Sequence, residues 1–369
     1  MRGSVLLILV MGLLACLPIA AFSDQAGDIR ALQSEIEQLK QRLSQLEAEV
    51  ETAKAAQAET QATVAKKAGE HKINGYLQMR YRNDNAPDGK DEFYTRRSRL
   101  NLRGKMTEKT GYRVELQMDS KESGKGPGSK VQLRTAYIEH DLAGGRLRLG
   151  QTHIPWGYEL QTSVAVLWTA ERSLFMDRLF PNQRDNGFVY DWSAGKKRSP
   201  QISVGLFNGT GINASDNNSR KDPVARVRFP FSNGSAAVSY YDGRSDAGDS
   251  AKDGARWGLG GEVNWGRLAF MGEYVEDEDE GADMRGWYAQ LGTKLGHTPG
   301  FLFAKFDNYD EDTHLSDDEF NRISWGYFYE LDARNRLTLV YEQRDVEDAF
   351  SELSKWDGDA YYLQWQTRY

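Results

Sequence analysis

Tyr361-Tyr362-Leu363-Gln364-Trp365-Gln366-Thr367-Arg368-Tyr369 alternates: counted back from Tyr369, residues Thr367, Trp365, Leu363 and Tyr361 share its face, and most residues between them are polar. A two-residue period puts these side chains on one side of a strand. Lipid offers no partner for backbone N–H and C=O groups, so a spanning sheet must close on itself, apolar outside and polar inside. The stretch therefore reads as the closing strand of an outer-membrane β-barrel, and the expected fold class is all-β.

The start of the chain agrees with export. Arg2 supplies a positive n-region, residues 5–14 an apolar h-region, and Ala21-Phe22-Ser23 small residues where a signal peptidase reads. Cleavage near Asp24 is expected, making residues 1–23 a signal peptide. The alternative takes Leu13-Leu14-Ala15-Cys16 as a lipoprotein box with a lipidated Cys16, but residues 17–22 stay apolar where a lipoprotein turns polar. On the first reading the single cysteine leaves with the signal, and disulfides and thiol catalysis leave with it. After the signal no run of about 18 apolar residues exists, so no helix is expected to span a bilayer. A mean hydropathy of −0.67 would suit a soluble protein. The 18 Tyr, 9 Trp and 36 Gly argue otherwise, because barrel strands hide their hydrophobicity in alternation and favour aromatic girdles. A formal charge of −7 gives no reason to expect nucleic acid as a partner.

Between signal and barrel the period changes. Ile29, Leu32, Ile36, Leu39, Leu43, Leu46, Val50 and Ala53 recur at spacings of three and four, flanked by Glu, Gln, Lys and Arg. These are the a and d positions of a coiled coil, expected over residues 24–67 with a fraying tether at its end. One amphipathic helix packed on a core is the weaker alternative, because the stripe is narrow and the other faces are polar. Ile at a with Leu at d favours two strands, Leu43 and Val50 blur that preference, and the strand number stays open.

From Lys72 the period is two, and alternating segments bounded by turn residues give sixteen strands, so the barrel is expected over residues 72–369. They fall near 72–82, 94–106, 111–119, 131–141, 145–152, 186–193, 200–207 and 222–229, then 234–243, 255–265, 267–275, 283–294, 300–308, 319–330, 334–344 and 358–369. Leu142-Ala143-Gly144-Gly145, Phe231-Ser232-Asn233-Gly234, Trp265-Gly266 and Asp332-Ala333-Arg334-Asn335 are tight turns, each after an even-numbered strand. Longer polar segments such as 83–93, 209–221 and 244–254 follow odd-numbered strands. Short periplasmic turns, long outer loops and an even strand count return both barrel ends to the periplasm, where the coiled coil is expected. The loop at 153–185 stands apart, with Trp156, Tyr158, Trp168, Phe175, Met176, Leu179 and Phe180 in it. Folding inward to narrow the lumen satisfies those aromatics, and Arg172 and Arg178 then join Trp156, Tyr158 and Trp168 at the constriction; a lid over the rim or a protomer contact is the alternative.

Alternation also sorts the charges. In the second strand Arg97, Arg99 and Arg103 share a parity with Asn101, opposite Ser98, Leu100 and Leu102. An arginine facing lipid at mid-depth costs about 2 to 4 kcal/mol, so these three are expected in the lumen. By the same cost Arg80, Arg82, Arg113, Arg146 and Arg148 face inward; Arg134 is assigned with them although Tyr137 and Ile138 blur its parity, and Arg96 breaks the pattern and is assigned to the aqueous rim. Antiparallel registry sets Arg80 and Arg82 level with Arg97 and Arg99, Arg134 lower, and Arg103, Arg113 and Arg148 toward the periplasm. Such a basic ladder would pass anions from site to site. The other reading is an ordinary cross-lumen arrangement with Glu115, Asp119 and Glu139 as counter-charges.

Ile73-Asn74-Gly75-Tyr76-Leu77-Gln78, Arg96-Arg97-Ser98-Arg99-Leu100, Ala136-Tyr137-Ile138-Glu139, and Leu149-Gly150-Gln151 with Ile154-Pro155-Trp156 resemble the phosphate-selective porins of the O and P type. The resemblance covers residues 72–369, most specifically the first 120 of them. It implies a trimeric sixteen-stranded barrel with an inward-folded third loop, and an anion path along the lumen arginines of the first strands. The chain departs from that family in its later outer loops, where Glu276-Asp277-Glu278-Asp279-Glu280 and Asp310-Glu311-Asp312 form an acidic rim that repels phosphate at long range. Lys121, Lys125 and Lys130 are a modest basic counterpart. A general anion preference stays open, phosphate specificity less so.

Enzymatic readings find little. His71, His140, His153, His297 and His314 are dispersed without metal-ligand spacing, and neither a Ser-centred elbow nor a glycine-rich phosphate loop stands out. No cofactor and no metal are expected. The function expected is passive diffusion of small anionic solutes through a homo-oligomeric porin, a trimer, seated among outer-membrane lipid and lipopolysaccharide. A nonspecific pore, or an envelope tether whose coiled coil binds a periplasmic or cell-wall partner, is the alternative.

Overall fold

The computed structural model describes residues 25–67, 71–119, 130–196, 198–243, 254–279, 282–347 and 354–369. The signal peptide, Cys16, Lys121, Lys125 and Glu280 lie outside the described residues. Two compact units divide the chain, residues 1–68 and 69–369.

In the first unit Gln25–Lys67 forms one helix, α1. Its stripe at Ile36, Leu39, Leu43, Leu46 and Val50 is exposed along its length. The structure thus gives a single helix where a coiled coil was expected.

The second unit is sixteen antiparallel strands. β1 (His71–Asp84), β2 (Glu92–Lys105), β3 (Thr110–Asp119), β4 (Lys130–Leu142), β5 (Gly145–His153), β6 (Arg184–Ser193), β7 (Gln201–Phe207) and β8 (Asp222–Phe231) make the first half. β9 (Gly234–Gly243), β10 (Gly254–Trp265), β11 (Leu268–Asp279), β12 (Ala282–Lys294), β13 (Gly300–Asp310), β14 (Glu319–Glu330), β15 (Asn335–Val346) and β16 (Gly358–Arg368) make the second. Each strand pairs with its neighbours in sequence, and β1 pairs with β16, so the sheet closes and no backbone edge meets lipid. The closing seam sets Arg80 opposite Gln364 and Gln78 opposite Gln366. In β16, Tyr361, Leu363 and Trp365 point outward while Tyr362, Gln364 and Gln366 are buried inside, as the alternation requires. Trp257, Trp287 and Trp325 share the outer surface.

Turn parity holds at most connections and fails at one. Residues 280–281 alone join β11 to β12, because both strands rise beyond their expected ends. The run Glu276–Asp279 is therefore not a loop but the top of β11: Asp277 faces inward, accepting from Arg256 Nε at 2.7 Å, and Glu276 faces away from it, accepting from the Tyr274 hydroxyl. Alternation places neighbouring acids on opposite sides of the wall, so only part of this charge lies on the lumen side.

Two β-bulges interrupt the early strands. Gln78 pairs with Arg97 and Met79 with Thr95, leaving Arg96 as the extra residue of β2. Glu115 pairs with Thr135 and Leu116 with Leu133, leaving Arg134 as the extra residue of β4. A bulge re-aims side chains by setting two residues against one. Each of these bulges sits at an arginine.

Candidate functional site: the lumen constriction

Residues 154–183, between β5 and β6, turn into the barrel. Ile154, Trp156, Leu160, Leu174, Phe175, Met176, Leu179 and Phe180 bury against lumen-facing Val189, Phe207, Val224, Tyr241, Val275, Tyr288, Tyr309 and Phe320. The short helix α2 (Leu174–Leu179) carries four of these buried residues. Glycines on the inner face of the sheet make the room: a Cβ on Gly258 would lie 2.9 Å from Trp156, and one on Gly286 would overlap Phe175. An apolar loop thus fills the side of the lumen made by the later strands, which explains its hydrophobicity.

Polar anchors fix the loop's height. Glu273 on β11 accepts the N–H groups of Tyr158 and Glu159 at 3.2 and 3.0 Å, and Ser239 accepts that of Gly157 at 2.9 Å. Lys305 on β13 donates to Glu159 at 2.6 Å, both side chains being buried. The other oxygen of Glu159 accepts the Ser173 N–H at 2.9 Å. Asp307 accepts the Leu174 N–H at 3.2 Å, and Arg322 donates to the Arg172 carbonyl at 2.5 Å. Buried charges are tolerated when paired and hydrogen-bonded, as Lys305 with Glu159 and Arg322 with Asp307 are, while Glu273 is held by backbone N–H groups.

The loop then meets the arginine wall through Glu171. Arg80 Nη1 donates to its Oε1 at 2.6 Å, Arg97 Nη2 to its Oε2 at 2.6 Å, and Arg96 spans both oxygens at 2.6 and 3.0 Å. Burial pushes the Glu171 carboxyl up, but Arg96, Arg97 and Arg80 outweigh it and hold the group well below the usual carboxylate range. Two cavities meet here. One, of about 480 Å³, is lined by Arg80, Arg82, Tyr94, Arg96, Glu171, Arg172, Asp177, Arg322, Glu342 and Arg344 among others. The other, of about 190 Å³, is lined by five arginines (Arg96, Arg97, Arg99, Arg134 and Arg172) against two carboxylates (Glu171 and Asp177), with Gln117, Val164, Asn182 and Gln183. Arg96, Glu171, Arg172 and Asp177 belong to both, so the passage narrows between the loop and β2.

A sequence profile of the Gram-negative porins matches residues 48–349. The chain belongs to the Gram-negative porin family. Channels of this family carry solutes across the outer membrane by passive diffusion and are generally not enzymes. No curated protein sequence matches. Among solved structures the porin is similar in fold to OmpF of Salmonella typhi in complex with daunomycin, at 11% identity over 83% of this chain and 99% of that one, with a TM-score of 0.66. It is also similar to the outer membrane channel DcaP of Acinetobacter baumannii, at 13% identity over 82% of this chain and 98% of that one, with a TM-score of 0.61. The anion-selective porin from Comamonas acidovorans has 17% identity over 82% of this chain and 99% of that one, with a TM-score of 0.57.

Each expected lumen arginine can be followed in the porin; Arg146 donates to Asp141 at 2.8 Å. Arg82 donates to Glu92 at 3.0 Å, Arg99 to Gln117 at 2.7 Å with Glu115 at 3.6 Å, and Arg113 to Asn101 and Glu115 at 2.7 and 2.8 Å. Arg134 donates to the Asn182 side chain at 2.9 Å, and Arg148 to Asp191 at 2.6 and 3.0 Å. Arg103 stands exposed beside Arg113 at the end of the wall where β1 begins. The expected heights need correction: Arg80 is level with Tyr94 and Arg82 with Glu92, whereas Arg97 is level with Gln78 and Arg99 with Tyr76, so the two pairs occupy successive levels. Arg96 is not at the rim; the bulge turns it into the lumen onto Glu171. Of the loop residues, Trp156 packs on Phe180 at a centroid distance of 5.1 Å, Tyr158 donates to the Ser235 hydroxyl, and Trp168 packs on Phe301 at 4.8 Å. These aromatics support the constriction, and Arg172 lines it. Arg178 is half-buried on α2 and lines neither cavity.

Sequence reasoning missed Glu171, Arg184 and the Glu159–Lys305 pair. Arg184 donates to Glu115 at 2.9 Å and Thr135 at 3.0 Å, tying β6 to the wall. Charged residues inside an apolar loop, such as Glu159 and Glu171-Arg172, were the available signal, since an ion held among aromatics needs a partner. Among the described residues no group of His, Cys, Asp and Glu gathers in metal-binding geometry.

Proposed function

We propose that this porin prefers small anions, admits them past the arginine wall of β1 to β5, and works as a homotrimer. The observation that carries the reading is the charge imbalance at the narrow cavity, five arginines against two carboxylates. In a low-dielectric passage such an excess lowers the barrier for anions and raises it for cations. Reversal potential in a planar bilayer under a KCl gradient tests it. The expected result is anion preference, reduced in the double variant Arg97→Ala with Arg99→Ala; cation preference, or no change in that variant, overturns it. Phosphate is one candidate solute, on the resemblance of β1 to β5 to the phosphate-selective porins. It is tested by whether millimolar phosphate reduces chloride conductance.

A nonspecific pore is the second reading, favoured by the partners that most wall arginines already have: Glu115 alone faces Arg99, Arg113 and Arg184. Weak, symmetric permeability to both ions would establish it. For α1 the proposal is a periplasmic coiled coil, supported by its exposed a and d stripe. After removal of residues 1–23 this stalk either trimerises the porin or tethers it to a periplasmic or cell-wall partner.

A further inference from the structure

Four arginine nitrogens from three residues surround the Glu171 carboxylate, and each of its oxygens accepts two of the four bonds. Arg96 meets it side-on with Nε and Nη2, the fork geometry that matches two coplanar oxygens. Three arginines converge on this one carboxylate, and 21% of the Glu171 side-chain surface stays open to the lumen. The loop on either side is held independently of this side chain. Arg80 Nη2 donates to the Ala170 carbonyl at 3.0 Å, and Arg322 to that of Arg172 at 2.5 Å.

We infer that Arg80, Arg96 and Arg97 form a carboxylate-binding site on the solute path, and that Glu171 is its tethered occupant. The inference rests on the anion-path reading and names the residue that sets its selectivity. A carboxylate on a short tether competes as though present at about millimolar concentration or above. Permeating anions therefore exchange with Glu171 instead of lodging on the three arginines, and the site stays filled by the protein. The solute class matched to the site is the small carboxylate, because that is the group the arginines already hold.

The test uses the full-length porin in planar bilayers, as wild type, Glu171→Gln and Glu171→Ala, with chloride conductance and the chloride-to-potassium permeability ratio as readouts. Both variants are expected to raise the ratio several-fold. In Glu171→Ala, added potassium acetate is expected to reduce chloride conductance saturably, at lower concentration than potassium phosphate; in wild type and Glu171→Gln, whose side chains still fill the site, acetate has no saturable effect. Unchanged permeability ratios overturn the inference, as does block by phosphate at the same or lower concentration than acetate. Should Glu171→Ala fail to assemble, the ratio in the near-isosteric Glu171→Gln decides. A cation-preferring wild type that turns anion-preferring in Glu171→Gln would sink the anion-porin reading while leaving this site standing. An anion-preferring wild type with unaltered variants does the reverse.

Discussion

Lys305 and Glu159 show what single residues contribute to this lumen. Both are buried, and each is the other's charge partner, with the Tyr288 ring 4.5 Å from the ammonium. Lys305→Met leaves the buried Glu159 without its charge partner, at a cost of about 3–5 kcal/mol. A lowered thermal midpoint is expected, largely restored in the double variant with Glu159→Gln; equal midpoints for wild type and Lys305→Met would contradict it. Glu171 makes a pH prediction. Its folded value is depressed by Arg96, Arg97 and Arg80 against the opposing effect of burial. Its charge therefore contributes above the ordinary glutamate value of about 4.3, and the contribution is lost only as pH falls through the depressed value. The selectivity difference between wild type and Glu171→Gln should persist unchanged from pH 8 to pH 5 and shrink only below the ordinary range. A difference that fades between pH 7 and pH 5 would assign it to another group.

At the scale of elements, the loop between β5 and β6 turns on one glycine as well as on its aromatics. Gly157 has φ +51, and a Cβ there would overlap the Glu273 carboxylate that holds Tyr158 and Glu159. Gly157→Ala is therefore expected to displace the anchor and change single-channel conductance; the wild-type value in this variant would show that the loop adapts. Strand ends matter as well. Alternation predicts β11 to residue 275, and the strand runs to Asp279, because an acidic residue that alternates between lumen and outer face extends a strand as well as an apolar one does. The bulges in β2 and β4 are the larger loss. A strict period of two sends Arg96 outward, and only the pairing of Met79 with Thr95 reveals the extra residue that turns it in.

For the whole molecule, closure through β1 and β16 removes every sheet edge, and residues 69–369 form a compact unit of their own. A chain lacking residues 28–67 is expected to keep its β circular-dichroism spectrum and the conductance of each pore. If α1 trimerises the porin, that chain loses its oligomeric state on sedimentation; if α1 tethers the envelope, the trimer persists and envelope integrity falls. Loss of the β spectrum would contradict the independence of the barrel.

The sequence by itself determined the barrel, the sixteen strands, the inward face of most arginines and the apolar loop that must leave solvent, because alternation and lipid leave each strand one workable orientation. Only the tertiary structure decided what the arginines hold. Glu171 comes from a loop some seventy residues beyond Arg97 and reaches the wall by crossing the lumen. No local period encodes a contact made across an enclosed space. The pairing depends instead on glycines, anchors and bulges on strands far apart in the chain, so the ladder legible in the sequence is, in the folded porin, a wall whose centre is closed by its own loop.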